Sequence, residues 1–181
     1  MGQSVRQAHV PAVGRIEFRD IEVAEPGPGE VLIEPARIGI CGSDVHVFKG
    51  EHPIVQPPLV QGHEVSGTVV RPGPGVSGLE AGDIVTIEPA IGCGHCSRCQ
   101  AGLIAQCSEL DFIGGNLDGP AASRFLAPAA QLVRMRPTTS IDDAALAEPL
   151  ATAVHAVRLA GEVHGTDVLV AGGVPIGALI A

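Results

Sequence analysis

The feature that most constrains this chain is a cluster of four cysteines. Cys93, Cys96, Cys99 and Cys107 fall within 15 of its 181 residues, separated by two, two and seven residues. Four thiolates complete a tetrahedral zinc site and leave no position open for catalysis, so the spacing predicts a structural zinc ion. An iron–sulfur cluster is the rival hypothesis, because the first three spacings match a ferredoxin motif. The gap of seven and the lack of a following proline argue against it, and free buried thiols are rare at these spacings.

This cysteine segment, about residues 92–107, is short, polar and glycine-containing. A bound metal would therefore supply the folding energy that a hydrophobic core cannot. The N-terminal residues lack the apolar region of a signal peptide, so the expected location is the cytoplasm. Thiols stay reduced there, which favours metal binding over disulfides.

Composition and charge exclude several classes of protein. With 45% apolar and 17% charged residues, the chain is expected to be soluble, globular and able to bury a sizeable core. Its 20 acidic and 11 basic residues give a net charge of −9, which argues against a nucleic-acid partner. The longest uncharged apolar stretch, Val168 to Ala181, has 14 residues and is too short to span a membrane.

Glycine and proline divide the first 140 residues into short extended segments. The predicted strands are Glu17 to Val23, Val31 to Ile40, Glu64 to Val70, Asp83 to Glu88, Ser123 to Ala127 and Gln131 to Met135. A short helix from Asp44 to Lys49 is predicted between the second and third strands, with Ser43 as a potential cap and Gly50 as its end.

From Ile141 onward the chain becomes rich in alanine and predicts helix. Pro149 suits the first turn of a helix that ends at Gly161. Thr166 to Ala171 then predicts an apolar strand, followed by the start of another helix. A lone strand and helix cannot bury both faces of the strand, so we expect the sequence to be truncated at Ala181.

A second, dispersed set of residues has ligand chemistry. Cys41, His63, Glu64 and Glu148 offer a thiolate, an imidazole and two carboxylates. Singly each is weak evidence, since a lone His63 is more often hydrogen-bonded than metal-bound and a lone Cys41 is more often a small buried hydrophobe. Together they predict a zinc ion with a place left for water or substrate. Such a zinc is a Lewis acid that lowers the pKa of a bound alcohol.

These motifs resemble the zinc-containing medium-chain alcohol dehydrogenase superfamily over essentially the whole chain. The resemblance rests on Gly39-Ile-Cys-Gly-Ser-Asp-Val-His46, Gly62-His-Glu64, the cysteine segment and Glu148-Pro-Leu-Ala151. Glu148 stands where the ethanol-type enzymes have a cysteine, which favours the branch with sorbitol, threonine and butanediol dehydrogenases.

The resemblance implies roles for the site residues. Cys41 and His63 would be catalytic-zinc ligands, with the carboxylate supplied by either Glu64 or Glu148, and the four clustered cysteines would hold the structural zinc. Ser43 would hydrogen-bond the substrate hydroxyl and His46 would pass its proton to solvent. The alternatives are that Ser43 only caps a helix and that His46 is an ordinary surface residue.

The implied fold is mainly β with a few helices: a GroES-like β-barrel with its zinc lobe over residues 1–150, a connecting helix at 151–164, and the start of a truncated Rossmann domain at 165–181. In the expected dinucleotide-binding turn Gly172 and Gly177 are present, but Val174 replaces the glycine that lets the backbone approach the pyrophosphate. The residue that distinguishes NAD from NADP would lie beyond Ala181.

The function implied is that of a zinc-dependent NAD(P) dehydrogenase acting on a small alcohol or polyol, homo-oligomeric in its full-length form. The alternative is a non-enzymatic GroES-like zinc-binding module or an inactive shortened homologue.

Overall fold

A computed structural model describes residues 3–181 and is mainly β. In this part of the chain the strands are β1 (Gln3–Ala12), β2 (Arg15–Val23), β3 (Glu30–Ile38), β4 (Val65–Pro72), β5 (Ile84–Ile87), β6 (Ala90–Ile91), β7 (Asp111–Phe112), β8 (Phe125–Pro128) and β9 (Leu132–Arg134). The helices are α1 (Gly42–Lys49), α2 (Ser97–Gln100), α3 (Ile141–Ala144), α4 (Ala147–Ala160) and α5 (Ile176–Ile180).

The centre of the fold is a five-stranded antiparallel sheet in the order β8-β3-β4-β5-β9. Its middle strands are buried on both faces, so consecutive residues such as Val31, Leu32 and Ile33 are all inaccessible to solvent. On one face Ile33 belongs to the main apolar cluster. Helix α3 packs near the sheet, where the buried Ser66 hydroxyl donates to the Ile141 carbonyl at 2.6 Å.

Strands β1 and β2 form a separate hairpin that supports α1. The backbone of Val10 exchanges two hydrogen bonds with that of Leu59, at 2.9 and 3.1 Å. The side chains of these two residues pack with Val47 of α1 in a second, smaller apolar cluster. This cluster fixes the position of α1 and of the loop that follows it, which are the elements beside the candidate site.

The cysteine segment at 92–107 lies outside both apolar clusters. It contains α2 and one turn of 3-10 helix, and of its 16 residues only Cys107 is buried. The predicted lack of a hydrophobic core in this segment is confirmed.

The six strands predicted from the sequence are all present as β2, β3, β4, β5, β8 and β9, with ends within two residues of those predicted. The long strand β1 and the two-residue strands β6 and β7 were missed. The predicted helix around Pro149 is α4, which ends before Gly161. Among the described residues, the helices are each too short or too polar to cross a bilayer.

Two local predictions are wrong. The cap of α1 is Cys41 rather than Ser43, and the helix begins at Gly42, because the Asp44 side chain accepts a hydrogen bond from the Cys41 amide and closes the first turn two residues earlier. No strand forms over residues 166–171, which find no β partner within residues 3–181. A strand exists only through hydrogen bonds to a neighbour, so apolar sequence alone does not create one.

Candidate metal centres

The four clustered cysteines converge on one point. Their sulfur atoms all lie within 4.8 Å of one another. Cys93 and Cys99 are 4.0 Å apart at Sγ, and Cys96 and Cys107 are 3.9 Å apart. Tetrahedral zinc with Zn–S bonds of about 2.3 Å would place its ligand sulfurs about 3.8 Å apart. The four cysteines are free thiols, and their spacing fits a zinc ion almost without adjustment.

Backbone amides also point at these sulfurs. The Cys96 Sγ, at the start of α2, accepts from the Cys99 amide at 3.4 Å. The Cys107 Sγ accepts from the amides of Cys93 and Glu109 at 3.4 and 3.3 Å. Such N–H groups stabilise negative charge on sulfur, which is the form that binds a metal.

Two of these thiols, Cys96 and Cys99, have pKa values that are shifted in opposite directions. The hydrogen bond from the Cys99 amide lowers the pKa of Cys96 to about 6. The pKa of Cys99 is raised to about 12: a hydrogen bond from the Gly94 backbone lowers it, but desolvation and the neighbouring thiols Cys96, Cys107 and Cys93 raise it more. A divalent cation among the sulfurs would relieve this repulsion, so the donor set fits zinc in charge as well as in distance.

A second group is formed by Cys41, His63 and Glu64, whose ligand atoms also lie within 4.8 Å of one another. Cys41 caps α1 just after β3, and the other two residues immediately precede β4. The pairing of β3 with β4 continues past the sheet, since the Gly39 amide donates to the Glu64 carbonyl at 2.7 Å. This extension brings residues 22 positions apart in sequence to one place.

His63 is buried, and its Nδ1 has no hydrogen-bond partner among the described residues. Its ring stands edge-on to Phe112, with 5.3 Å between ring centroids. Burial lowers the pKa of His63, but hydrogen bonding to Cys41 and the charges of Asp44, Cys41 and Glu148 raise it above its usual value. An orphaned buried nitrogen among anionic groups is costly without a ligand, so this environment fits a metal ion.

Cys41 and Glu148 have pKa values that are shifted in opposite directions. The Cys41 pKa is lowered, chiefly by hydrogen bonding to His63, with burial opposing this effect. Glu148, in the first turn of α4, has a raised pKa because of burial; His63 opposes the rise and Glu64 adds to it. Glu148 is therefore near the group, but it is not among the three side chains whose ligand atoms lie within 4.8 Å.

Glycine at position 39 makes room for the Glu64 side chain. A Cβ on Gly39 would overlap the Glu64 carboxylate, whereas a Cβ on Gly42 would meet nothing within 4 Å. We expect Gly39→Ala to displace Glu64 and weaken zinc binding by the Cys41 group, with Gly42→Ala as the matched control. Zinc affinity by chelator competition is the measurement. Equal affinity in the two variants would show that Glu64 does not contribute to this site.

Ser43 and His46 lie on α1 at different distances from solvent. Ser43 contributes to the lowered pKa of Cys41 and lines a cleft of about 570 Å³ together with His63 and Phe112. The His46 side chain is 60% exposed, and its Nδ1 is 3.2 Å from Glu51 Oε2. One residue thus faces the cleft and the other faces water.

The predicted cofactor-binding residues lie far along the chain, before and within α5. Gly172 has a φ of +100°, and a Cβ on Gly177 would overlap the Gly172 carbonyl, so both positions require glycine. Val174 is 90% exposed. Among the described residues, neither the five-residue α5 nor the segment before it is hydrogen-bonded to a strand of a β-sheet.

Asp44 and Phe112 are two further site residues that were not predicted from the sequence. Asp44 is buried, and its Oδ2 accepts from the Cys41 amide at 2.9 Å while its charge acts on His63. The three-residue spacing from Cys41 to Asp44 is that of a capping box and could have indicated this contact. Phe112 comes from β7, and no local pattern connects it with His63.

Comparison with known proteins shows which proteins this chain is similar to. The chain is 40% identical over 172 residues to the L-threonine 3-dehydrogenase of Pyrococcus abyssi, which covers 93% of this chain and 49% of that protein. It therefore spans about half the length of the curated relatives that it matches.

Two solved structures illustrate the same fold. An alcohol dehydrogenase of Escherichia coli CFT073 complexed with NADH superposes with a TM-score of 0.91 at 28% identity, over 99% of this chain and 52% of that one. A thermostable alcohol dehydrogenase of Pyrobaculum aerophilum, with cobalt and zinc bound, gives 0.77 at 30% identity, over 88% and 49% of the two chains.

Residues 27–137, more than half of the chain, match the family described as the alcohol dehydrogenase GroES-like domain. This range contains β3 to β9, all four clustered cysteines, and the group formed by Cys41, His63 and Glu64. The predicted GroES-like fold is confirmed, and the chain belongs to the alcohol dehydrogenase GroES-like domain family within the zinc-containing medium-chain alcohol dehydrogenase superfamily.

Proposed function

We propose that this chain forms the catalytic-domain part of a zinc-dependent NAD(P) dehydrogenase that oxidises a small secondary alcohol or polyol. The observation that carries the proposal is the convergence of Cys41, His63 and Glu64 beside a cleft, with a buried His63 nitrogen left unpartnered. Three protein ligands next to an open space are the arrangement of a catalytic zinc site, whereas four are that of a structural one.

In this proposal Cys41, His63 and either Glu64 or Glu148 hold the catalytic zinc. The four clustered cysteines hold the structural zinc. When bound, the catalytic zinc would supply Lewis acidity toward the substrate oxygen, and a nicotinamide cofactor would supply the hydride acceptor. The closer approach of Glu64 favours it as the resting carboxylate ligand.

The protein side chains orient the alcohol and remove its proton. Ser43 lines the cleft and offers a hydroxyl that can accept the substrate O–H, and one helical turn later His46 is exposed and can release the proton to water. Glu51 holds the His46 ring through its contact with Nδ1. Val47 and Phe112 also line the cleft and make part of its wall apolar, which limits the access of water to the reacting oxygen.

We also propose domain limits, an oligomeric state and a cellular location for the enzyme. Residues 1–150 form the catalytic domain, 151–164 the connection and 165–181 the beginning of the nucleotide-binding unit. The complete enzyme is a homo-oligomer in the cytoplasm, and the five free cysteines agree with a reducing compartment.

A fusion protein tests the proposed function. Residues 1–164 would be joined to the nucleotide-binding half of the Pyrococcus abyssi L-threonine 3-dehydrogenase, and the oxidation of threonine, sorbitol and 2,3-butanediol assayed with NAD and NADP. We expect zinc-dependent turnover that Cys41→Ser abolishes. A folded, zinc-loaded fusion that oxidises none of these alcohols would support a non-enzymatic module instead, and iron in the protein would favour the iron–sulfur hypothesis.

We also infer that the 181-residue polypeptide alone neither binds nicotinamide cofactors nor oxidises alcohols. A pyrophosphate is bound where a paired strand leads into a helix N-terminus. Here residues 166–171 form no strand, Leu169 is 92% exposed, and Val174 occupies the turn. Calorimetric titration with NADH should show no saturable heat at micromolar concentrations. Saturable binding that persists in Gly177→Val, whose side chain would overlap the Gly172 carbonyl, would place the cofactor elsewhere.

A further inference from the structure

The loop after α1 places an imidazole in the wall of the cleft. His52 is half-buried and lines the cleft together with Ser43 and His63. The loop that carries His52 is anchored to the core, because Val55 packs against the apolar cluster of Val10, Val47 and Leu59. The His52 ring is therefore held by structure rather than left to move freely on the surface.

Hydrogen bonds fix the orientation of this ring. His52 Nδ1 accepts from the amides of Ile54 and Val55 at 3.3 and 2.9 Å. A nitrogen that accepts in this way carries no proton, so the ring N–H is on Nε2. Within residues 3–181 Nε2 has no hydrogen-bond partner, which leaves one oriented donor available at the cleft wall.

The side-chain amide of Asn116, which also lines the cleft, is already hydrogen-bonded within the protein. Asn116 Oδ1 accepts from the Phe112 amide at 2.6 Å, and its Nδ2 donates to the Leu110 carbonyl and to Asp111 at 3.3 and 3.0 Å. Asn116 therefore braces its own loop. This leaves His52 and the hydroxyls of Ser43 and Ser108 to meet a ligand.

The charge of the wall restricts which ligand it can meet. Of the described residues that line the cleft, none is Lys or Arg, and one is the buried carboxylate Asp44. Arg and Lys are the side chains that proteins most often use to bind carboxylates and phosphates. Apart from Asp44, the polar side chains of the wall are neutral donors and acceptors, which match the hydroxyl groups of an uncharged chain.

We propose that His52 is a specificity-determining residue, whose Nε2–H donates to a substrate hydroxyl beyond the reacting carbon. It selects an uncharged polyhydroxy chain over one that ends in a carboxylate or phosphate. This inference rests on the proposed function and adds to it both a residue and a substrate class.

The test compares two six-carbon ligands, sorbitol and gluconate, on the zinc-loaded 181-residue chain. Ligand-observed saturation-transfer NMR measures their affinities in the wild type, in His52→Phe, which keeps a ring but removes the donor, and in His52→Gln, which keeps an N–H donor. We expect sorbitol to bind at least about tenfold more tightly than gluconate, and His52→Phe to weaken sorbitol binding about five- to tenfold. His52→Gln should lose less, and the exposed, remote His155→Phe should lose nothing.

Two further measurements separate the possible failures. Nitrogen-15 NMR of the His52 ring should show the proton on Nε2, and elemental analysis should show two zinc ions per chain. With both zinc ions present, unchanged sorbitol affinity in His52→Phe, equal affinity for gluconate, or no sorbitol binding would overturn this inference and leave the proposed function standing. Failure of the Cys41 group to bind zinc would overturn both.

Discussion

Replacing Cys96 with Ser is expected to unfold the segment at residues 92–107. Only Cys107 of this segment is buried, so its folded form depends on the metal rather than on apolar contacts. Structural zinc binds zinc-finger peptides with about 10–16 kcal/mol, and three remaining thiolates no longer close the tetrahedron. We expect the free energy of local unfolding to fall by at least about 3 kcal/mol.

Amide hydrogen exchange measures this effect residue by residue. In Cys96→Ser, amides of the segment such as those of Gln100 and Cys107, which are hydrogen-bonded within it, should lose protection, whereas those of β4 should keep theirs. Cys41→Ser is the matched control, since it removes a thiol from the other group and should leave the segment protected. Protection of the segment in Cys96→Ser would show that it folds without a complete set of four thiolates.

Replacing His63 with Ala is expected to empty the second metal site while the first stays filled. The change removes one of only three ligand atoms that lie together and leaves Cys41 and Glu64 without a cation between them. The zinc affinity of this site should fall by more than the roughly 100-fold that loss of an outer-shell partner can cost. At micromolar free zinc, the content should fall from two ions per chain to one.

A graded series makes this prediction sharper. Asp44→Asn keeps an oxygen that can accept from the Cys41 amide but removes the charge near His63, so it should cost about 10- to 100-fold in zinc affinity. His155→Ala, on the exposed side of α4, should change nothing. Chelator competition gives the three affinities. Two tightly bound zinc ions in His63→Ala would remove His63 from the ligand set.

Many of the strands and the cysteine cluster could be predicted because residues that are close in sequence indicate them. The strand from Val31 and the strand from Asp83 are short apolar segments between turn residues, and both form where expected. The four cysteines are close in sequence, so their convergence in space needed little knowledge of the fold. Strand β1 was missed because its sequence gives no clear apolar alternation and because its partner β2 is mostly exposed.

The sequence by itself determined the candidate ligand types, the lack of a hydrophobic core in the cysteine segment and the β-rich fold class, since spacing, composition and turn chemistry are properties of neighbouring residues. Only the tertiary structure decided which carboxylate approaches Cys41 and His63. Glu64 does so because β3 and β4 pair beyond the sheet, while Glu148 arrives from α4 and lies farther from the group. It also decided that residues 166–171 form no strand and that His52 lines the cleft. Each of these outcomes depends on partners supplied by distant parts of the chain, which no local pattern records.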